Sequence, residues 1–227
     1  MSRASRLRRR ARFVRTIPLR DLVARPRRVR TLVRANPYSL LSYARLCWLQ
    51  ELSATVGVEG AVVECGVWKG GAAAVMASAS PEREVWLFDS WAGLPEPSDE
   101  DVTFGGLRRP AGWNFARPDD VWRAIHATGA NPKKIHLVEG WFHETLPRWI
   151  ERGELIALLH IDSDWYESVS LCLREMWPLV AAGGAVVVDD YARWRGCRRA
   201  VDEFLAEYPA DATEVDATAI SFRKLNS

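Results

Sequence analysis

Cysteine is scarce in this 227-residue chain, and its four copies are scattered. Cys47, Cys65, Cys172 and Cys197 form no C-x-x-C pair. That argues against a zinc cluster or a disulfide framework and fits a reducing, cytoplasmic setting. Long apolar runs are missing too, since no stretch approaches the ~18 residues of a membrane span. There is no G-K-[ST], so no P-loop, and no H-E-x-x-H or Ser-His-Asp order, which disfavours hydrolase readings. The dinucleotide pattern G-x-G-x-x-G is absent as well, which counts against a nicotinamide-dependent oxidoreductase. Acidic residues are nearly absent from the start of the chain. Residues 1–34 hold thirteen arginines and one acid, Asp21, for +12, so the remainder carries −10 of the net +2.

What is present points to one sheet edge. Leu155–Glu167 reads L-I-A-L-L-H-I-D-S-D-W-Y-E, an apolar run that stops at Asp162-Ser163-Asp164. Such a run predicts a strand buried on both faces. Ala185-Val186-Val187-Val188 followed by Asp189-Asp190 has the same shape. Residues 166–182 between them are long enough for a crossover helix, with Gly183-Gly184 closing it, and a strand–helix–strand unit makes the strands parallel. If the two are neighbours, Asp162 meets the Asp189-Asp190 pair at one edge, where ligands of open α/β sheets bind. Clustered carboxylates repel unless a cation is present, and an all-oxygen set suits Mg²⁺.

At this length one domain with an appendage is expected, divided here into an Arg-rich arm, residues 1–35, and a domain over 36–227. The arm is expected to be partly helical and to pack on the acidic body of its own chain or of a sister subunit. Contact with nucleic acid or an anionic membrane is the lesser reading, because the arginines have little aromatic interleaving. Ser39–Thr55 has helical periodicity. Ala61–Cys65 reads as a buried strand running into Gly66-Val67-Trp68-Lys69-Gly70-Gly71 and a small-residue helix over Ala72–Ser80. Glycines let such a turn tighten, and the helix start offers free N–H groups to a ligand. Glu84–Phe88 is the next strand, and Asp89, 19 residues after Gly70, is placed to accept from ribose hydroxyls. Residues 92–117 read as a long excursion over the sheet edge. Then come a helix over 118–129, a strand over Ile135–Glu139 ending at Gly140-Trp141-Phe142, a helix over 195–207 and a final hairpin, 213–217 and 219–224. His136 and His160 fall within apolar strands and read as core groups.

Five ordered blocks resemble the macrocin O-methyltransferase family. They are V-V-E-C-G-V-W-K-G-G, F-D-S-W-A-G-L-P, E-G-W-F-H-E-T-L-P, L-H-I-D-S-D-W-Y-E-S, and G-G-A-V-V-V-D-D-Y with C-R-R-A-V-D-E-F, and they span about residues 37–208. The resemblance implies an α/β, Rossmann-like class I methyltransferase fold: a seven-stranded, mostly parallel sheet with an antiparallel last strand and helices on both faces. It implies S-adenosyl-L-methionine and Mg²⁺ as cofactors, and a small-molecule acceptor, a sugar hydroxyl of a secondary metabolite. Carried over by position, Glu64, Gly66 and Gly70 line the methionine side of the cofactor, Asp89 and Ser90 the ribose, and Gly140 and Trp141 the adenine. Asp162, Asp189 and Asp190 match the metal ligands, with Asp162 also beside the cofactor, and Asp164 matches the general base. A homo-oligomer is expected, with no membrane or nucleic-acid partner. The alternatives are a catechol-type aromatic acceptor, or a methyltransferase-like module that binds nucleic acid through its arm without catalysis.

Overall fold

The structure is a computed structural model, and it describes residues 8 and 11–225. One sheet of seven strands forms its centre, in the order β3-β2-β1-β4-β5-β7-β6. The strands are β1 (Ala61–Cys65), β2 (Val85–Asp89), β3 (Ile135–Glu139), β4 (Ile156–Ile161), β5 (Val180–Val188), β6 (Thr213–Glu214) and β7 (Ile220–Arg223). The first five are parallel, and β7 runs antiparallel to both β5 and β6. The expected fold is therefore present, last strands included. Every residue of β1 and β4 is buried, as their unbroken apolar runs require.

The helices are α1 (Leu19–Ala24), α2 (Pro26–Ala35), α3 (Tyr43–Thr55), α4 (Gly71–Ala79), α5 (Pro118–Thr128), α6 (Phe142–Ile150), α7 (Tyr166–Met176) and α8 (Arg195–Glu207). They bury the two faces of the sheet in separate apolar clusters. One gathers Leu46, Leu49, Ala73, Met76 and Ile125, and the other Leu146, Val169, Leu173, Val201 and Phe204. The described part of the basic arm joins the first cluster. Phe13, Ile17, Val29 and Leu32 are all buried there, and Phe13 meets Tyr43 edge to face at 5.8 Å. Arg27, Arg30 and Arg34 of α2 stay outside because its apolar residues recur at helical spacing, while the largely buried Arg28 donates to the Cys47 carbonyl on α3.

Two elements differ from the sequence expectation. The crossover helix α7 ends at Met176 rather than reaching 182, because Pro178 cannot continue it and a 3₁₀ turn, Trp177–Leu179, follows. Gly183-Gly184 does not close that helix. It lies inside β5, where the register against β4 jumps from Ile156–Val180 to Leu158–Ala185, and Gly183 takes φ 79° in the resulting bulge. Helix α6 was not expected at all; Pro147 in its interior and the turn-like Gly140 before it obscured its periodicity.

Candidate active site

The register of the sheet builds the site. Cys65, Ile161 and Val188 lie side by side at the ends of β1, β4 and β5. The Asp162 N–H donates to the Cys65 carbonyl and the Asp189 N–H to the Ile161 carbonyl, each at 2.8 Å. Gly66, Asp162 and Asp189 are thus the first row beyond the strands, at the point where strand order reverses between β1 and β4. Gly66 belongs there for a steric reason: at φ 92°, a Cβ would stand 2.1 Å from the Asp162 carbonyl oxygen.

A cleft of about 270 Å³ opens over this row. Glu64, Gly66, Asp89, Ser90, Gly140, Trp141, Asp162, Asp164, Asp189 and Asp190 all line it. Gly70 does not. It caps α4 at φ 78°, and a Cβ there would press on Val121 at 2.8 Å, so its work is to pack α4 against α5.

The glycine-rich turn is held by Asp89. Oδ2 accepts the N–H of Val67 at 2.8 Å and of Trp68 at 2.7 Å, and Oδ1 accepts that of Trp91 at 2.7 Å. The Trp91 indole closes the arrangement by donating to the Trp68 carbonyl at 2.9 Å. Burial still raises the Asp89 carboxyl above its usual range, against the pull of these N–H groups. Beneath the turn, Glu64 Oε1 sits 2.8 Å from His160 Nδ1, with both side chains fully buried. Burial, then the Asp89 charge, pushes Glu64 well above the carboxylate range, and burial drives His160 down to about 4. His160 is the buried strand histidine expected, satisfied at Nδ1 by Glu64 but with no partner at Nε2, and Glu64 Oε2 is likewise unpartnered. His136 is likewise engaged, by Glu84 at 2.7 Å.

Three carboxylates converge opposite the turn. Oxygens of Asp162, Asp164 and Asp190 lie within 4.8 Å of one another. Asp164 and Asp190 reach this arrangement through left-handed backbone, φ 62° and 53°, a region aspartate tolerates better than most residues. Burial, then the Asp190 charge, pushes Asp162 up to about 7 and Asp164 well above its usual value. Asp189 departs from the expected ligand set of Asp162, Asp189 and Asp190, because its carboxylate is paired with Arg45. Of the expected ligands, Asp162 and Asp190 lie in this group, together with Asp164, the expected general base.

Residues 90–117 form the rim, and half of that segment is stitched down. The Trp165 indole donates to the Pro95 carbonyl at 3.1 Å, and Asp101 Oδ1 accepts the Tyr166 N–H at 2.8 Å. Arg195 and Gly196 donate their N–H groups to the carbonyls of Val102 and Glu100 at 2.9 and 3.0 Å. Beyond residue 103 the rim exposes Phe104, Leu107, Trp113 and Phe115. Arg109 lies over the Trp113 ring at 4.3 Å, and both line the cleft.

A profile of the family described as Macrocin-O-methyltransferase (TylF) matches residues 20–224. This chain belongs to the macrocin O-methyltransferase family. It is 33% identical over 199 residues to the 8-demethyl-8-(2,3-dimethoxy-alpha-L-rhamnosyl)-tetracenomycin-C 4'-O-methyltransferase of Streptomyces olivaceus, covering 82% of this chain and 75% of that protein. It is 31% identical over 185 residues to the demethyldecarbamoylnovobiocin O-methyltransferase of Streptomyces niveus, covering 77% and 70%. The solved structure of the O-methyltransferase NovP superposes with a TM-score of 0.75 at 25% identity, over 98% of each chain. The protein is accordingly an O-methyltransferase.

Family blocks had marked the two carboxylate pairs and the turn. They did not mark Arg45, Trp113, Asp216 or Thr218, which also line the cleft. Arg45 left a signal: Arg45, Leu49 and Leu52 recur at helical spacing on the buried face of α3.

Proposed function

We propose that this enzyme transfers a methyl group from S-adenosylmethionine to a sugar hydroxyl of a small-molecule natural product, with a divalent cation, Mg²⁺, at the carboxylate cluster. The observation that carries this reading is a single cleft with the glycine-rich turn on one side and three converging carboxylates on the other. The sugar acceptor is taken from the rhamnosyl compound in the name of the Streptomyces olivaceus relative.

The residues suit both groups. Asp89 keeps acceptor capacity on Oδ1 for a ribose hydroxyl after bonding Trp91, with Ser90 beside it. Glu64 and Gly66 line the side where the methionine part would lie, and the half-exposed Trp141 offers a ring face to adenine, next to Gly140. Asp162, Asp164 and Asp190 form an all-oxygen set, and burial, then the Asp190 charge, raises the Asp162 and Asp164 carboxyls, the condition a cation relieves.

S-adenosylmethionine, when bound, supplies an electrophilic methyl group on a sulfonium. A cation held by Asp162 and Asp190 would supply positive charge that orients acceptor hydroxyls and makes one more acidic. The chain itself must align the acceptor oxygen with the methyl carbon and sulfur, and must take a proton. Alignment is worth about 7–11 kcal/mol when complete. The Asp164 carboxylate is the proton acceptor, a role typically worth about 10²–10⁴-fold in rate.

Calorimetric titration with S-adenosylhomocysteine, with and without Mg²⁺ and with NAD as control, tests the cofactor. A dissociation constant of about micromolar is expected, with no NAD binding. Absence of binding under both conditions would remove the reading. A glycoside panel beside a catechol panel, scored for methyl transfer, then decides the acceptor class; turnover of catechols alone would replace the sugar with an aromatic acceptor.

A further inference from the structure

Helix α1 reverses the usual arrangement of a surface helix. Leu19, Leu22 and Val23 stand at i, i+3 and i+4, the spacing of one helical face. Such a face ordinarily lies on a core. Here Leu19 is 80% exposed, Val23 84% and Leu22 45%, and no residue of α1 is buried. Leu19 and Val23 are the most exposed large apolar side chains among the described residues. The segment is nevertheless tied down. Phe13 and Ile17 before it, and Val29 and Leu32 after it, are buried in the first apolar cluster. On the helix itself, Asp21 accepts from the Tyr43 hydroxyl at 3.0 Å. The fold therefore holds the aliphatic face outward.

Arg12, Arg15, Arg20, Arg25 and Arg27 flank this face in the chain, and all are exposed. Among the described residues, the arm's one pairing of an arginine with a carboxylate is Arg28 with Glu51, so these five cations are unpaired. A partner for the arm must supply an apolar medium and negative charge together. A second copy docked about a two-fold axis would set arginines against arginines. Nucleic acid offers phosphates but no apolar medium, and the one aromatic ring over 11–35, Phe13, is buried and cannot stack on bases. The surface of an anionic bilayer offers both. From this outward aliphatic face among unpaired arginines, we propose that the arm is a peripheral membrane contact. Helix α1 lies in the plane of an anionic lipid surface, with Leu19, Leu22 and Val23 at the acyl boundary and the arginines at the lipid phosphates. The sequence expectation of no membrane partner could not register which way these aliphatic side chains point.

Cosedimentation of the full chain with lipid vesicles tests it. Binding is expected to vesicles of phosphatidylcholine with about 30 mol% phosphatidylglycerol, with none to phosphatidylcholine alone and release as salt rises to about 0.5 M. Arg20→Gln/Arg27→Gln should lower the partition coefficient by about fivefold for each charge removed. Leu19→Asn/Val23→Asn leaves every charge in place and should lower it by at least about tenfold. All four side chains are exposed, so both variants should melt with the parent. No binding of the parent to the anionic vesicles would overturn the proposal. Equal binding by Leu19→Asn/Val23→Asn and the parent would reduce the contact to charge alone and overturn it too. Light scattering and a duplex DNA titration supply the remaining outcomes. A dimer that Leu19→Asn/Val23→Asn converts to monomer would assign the face to a second copy. Tighter binding to DNA than to the vesicles, unchanged in that variant, would assign the arm to nucleic acid; either result replaces the membrane.

Discussion

Asp89 holds Trp68 in left-handed backbone: the Trp68 N–H donates to Oδ2 at 2.7 Å, and Trp68 stands at φ 49°. A bulky residue there is strained by about 1–3 kcal/mol and persists only where its surroundings force it. The carboxylate proposed for the cofactor is thus the one that shapes the turn. Asp89→Ala removes both functions, so stability should fall by about 2–4 kcal/mol and homocysteine-product affinity by at least tenfold, on the order of one lost charged hydrogen bond. Urea melts and calorimetry measure the two separately. Unchanged affinity in a folded variant would take Asp89 out of the cofactor site.

Gly66 and Gly129 separate steric clash from backbone strain. Both have positive φ, 92° and 79°, yet a Cβ on Gly66 would meet Asp162 at 2.1 Å while one on Gly129 meets nothing within 4 Å. Gly129→Ala should cost about 1 kcal/mol. Gly66→Ala should cost several times more, about 3–5 kcal/mol, because the β1–β4 edge must spread. Denaturant midpoints compare them, and equal costs would show that the edge yields freely.

Removal of divalent ions should stop turnover, and Mg²⁺ should restore it. Cofactor affinity should change little, because Asp89 and Glu64 stand apart from the three-carboxylate group. Asp190→Asn should reproduce the metal-free state, with kcat lower by about 10²-fold or more and the S-adenosylhomocysteine dissociation constant nearly constant. Full activity after exhaustive chelation is the contrary result.

At the opposite end of the sheet, Glu84 accepts from Lys134 Nζ at 2.5 Å and faces His136 Nε2 at 2.7 Å. Hydrogen bonds from Lys134, then His136, hold its carboxyl below the usual value. A depressed carboxyl stabilises the fold above its unfolded value and loses that contribution as pH falls through the folded value. Glu84→Gln should therefore melt below the parent at pH 7, by a small amount since the group is partly exposed, and the difference should close toward pH 3. A difference that grew on acidification would reverse the assignment.

The strand ends were readable because β1, β4 and β5 are buried on both faces and so read as apolar runs with abrupt polar ends. That placed Asp162, Asp189 and Asp190 at one edge before any coordinates. The direction each carboxylate takes was not readable, because it depends on single backbone torsions at Asp164 and Asp190 and on Arg45, 144 residues before Asp189 in the chain. Asp89 was legible as a cleft residue but not as the clamp of the turn, since its partners are backbone N–H groups that carry no side-chain signature. The rim was legible only as a long excursion. Its anchors, Asp101 to Tyr166 and Val102 to Arg195, join loop to helix start with no periodic pattern.

Those anchors divide the rim into a fixed part and an interchangeable part. Residues 95–103 are tied to the first turns of α7 and α8, the helices that follow the two aspartate pairs, so this half moves only with the catalytic floor. The Leu94 N–H donates to the Trp113 carbonyl at 2.8 Å and the Gly112 N–H to the Leu94 carbonyl at 2.9 Å, closing the base of the rim. Residues 104–112 form the outer part of the rim, touching the fixed part through Arg108 and Asp99 and α8 through Phe104. Exchange of that outer part is expected to change acceptor preference while the carboxylate row below keeps its geometry.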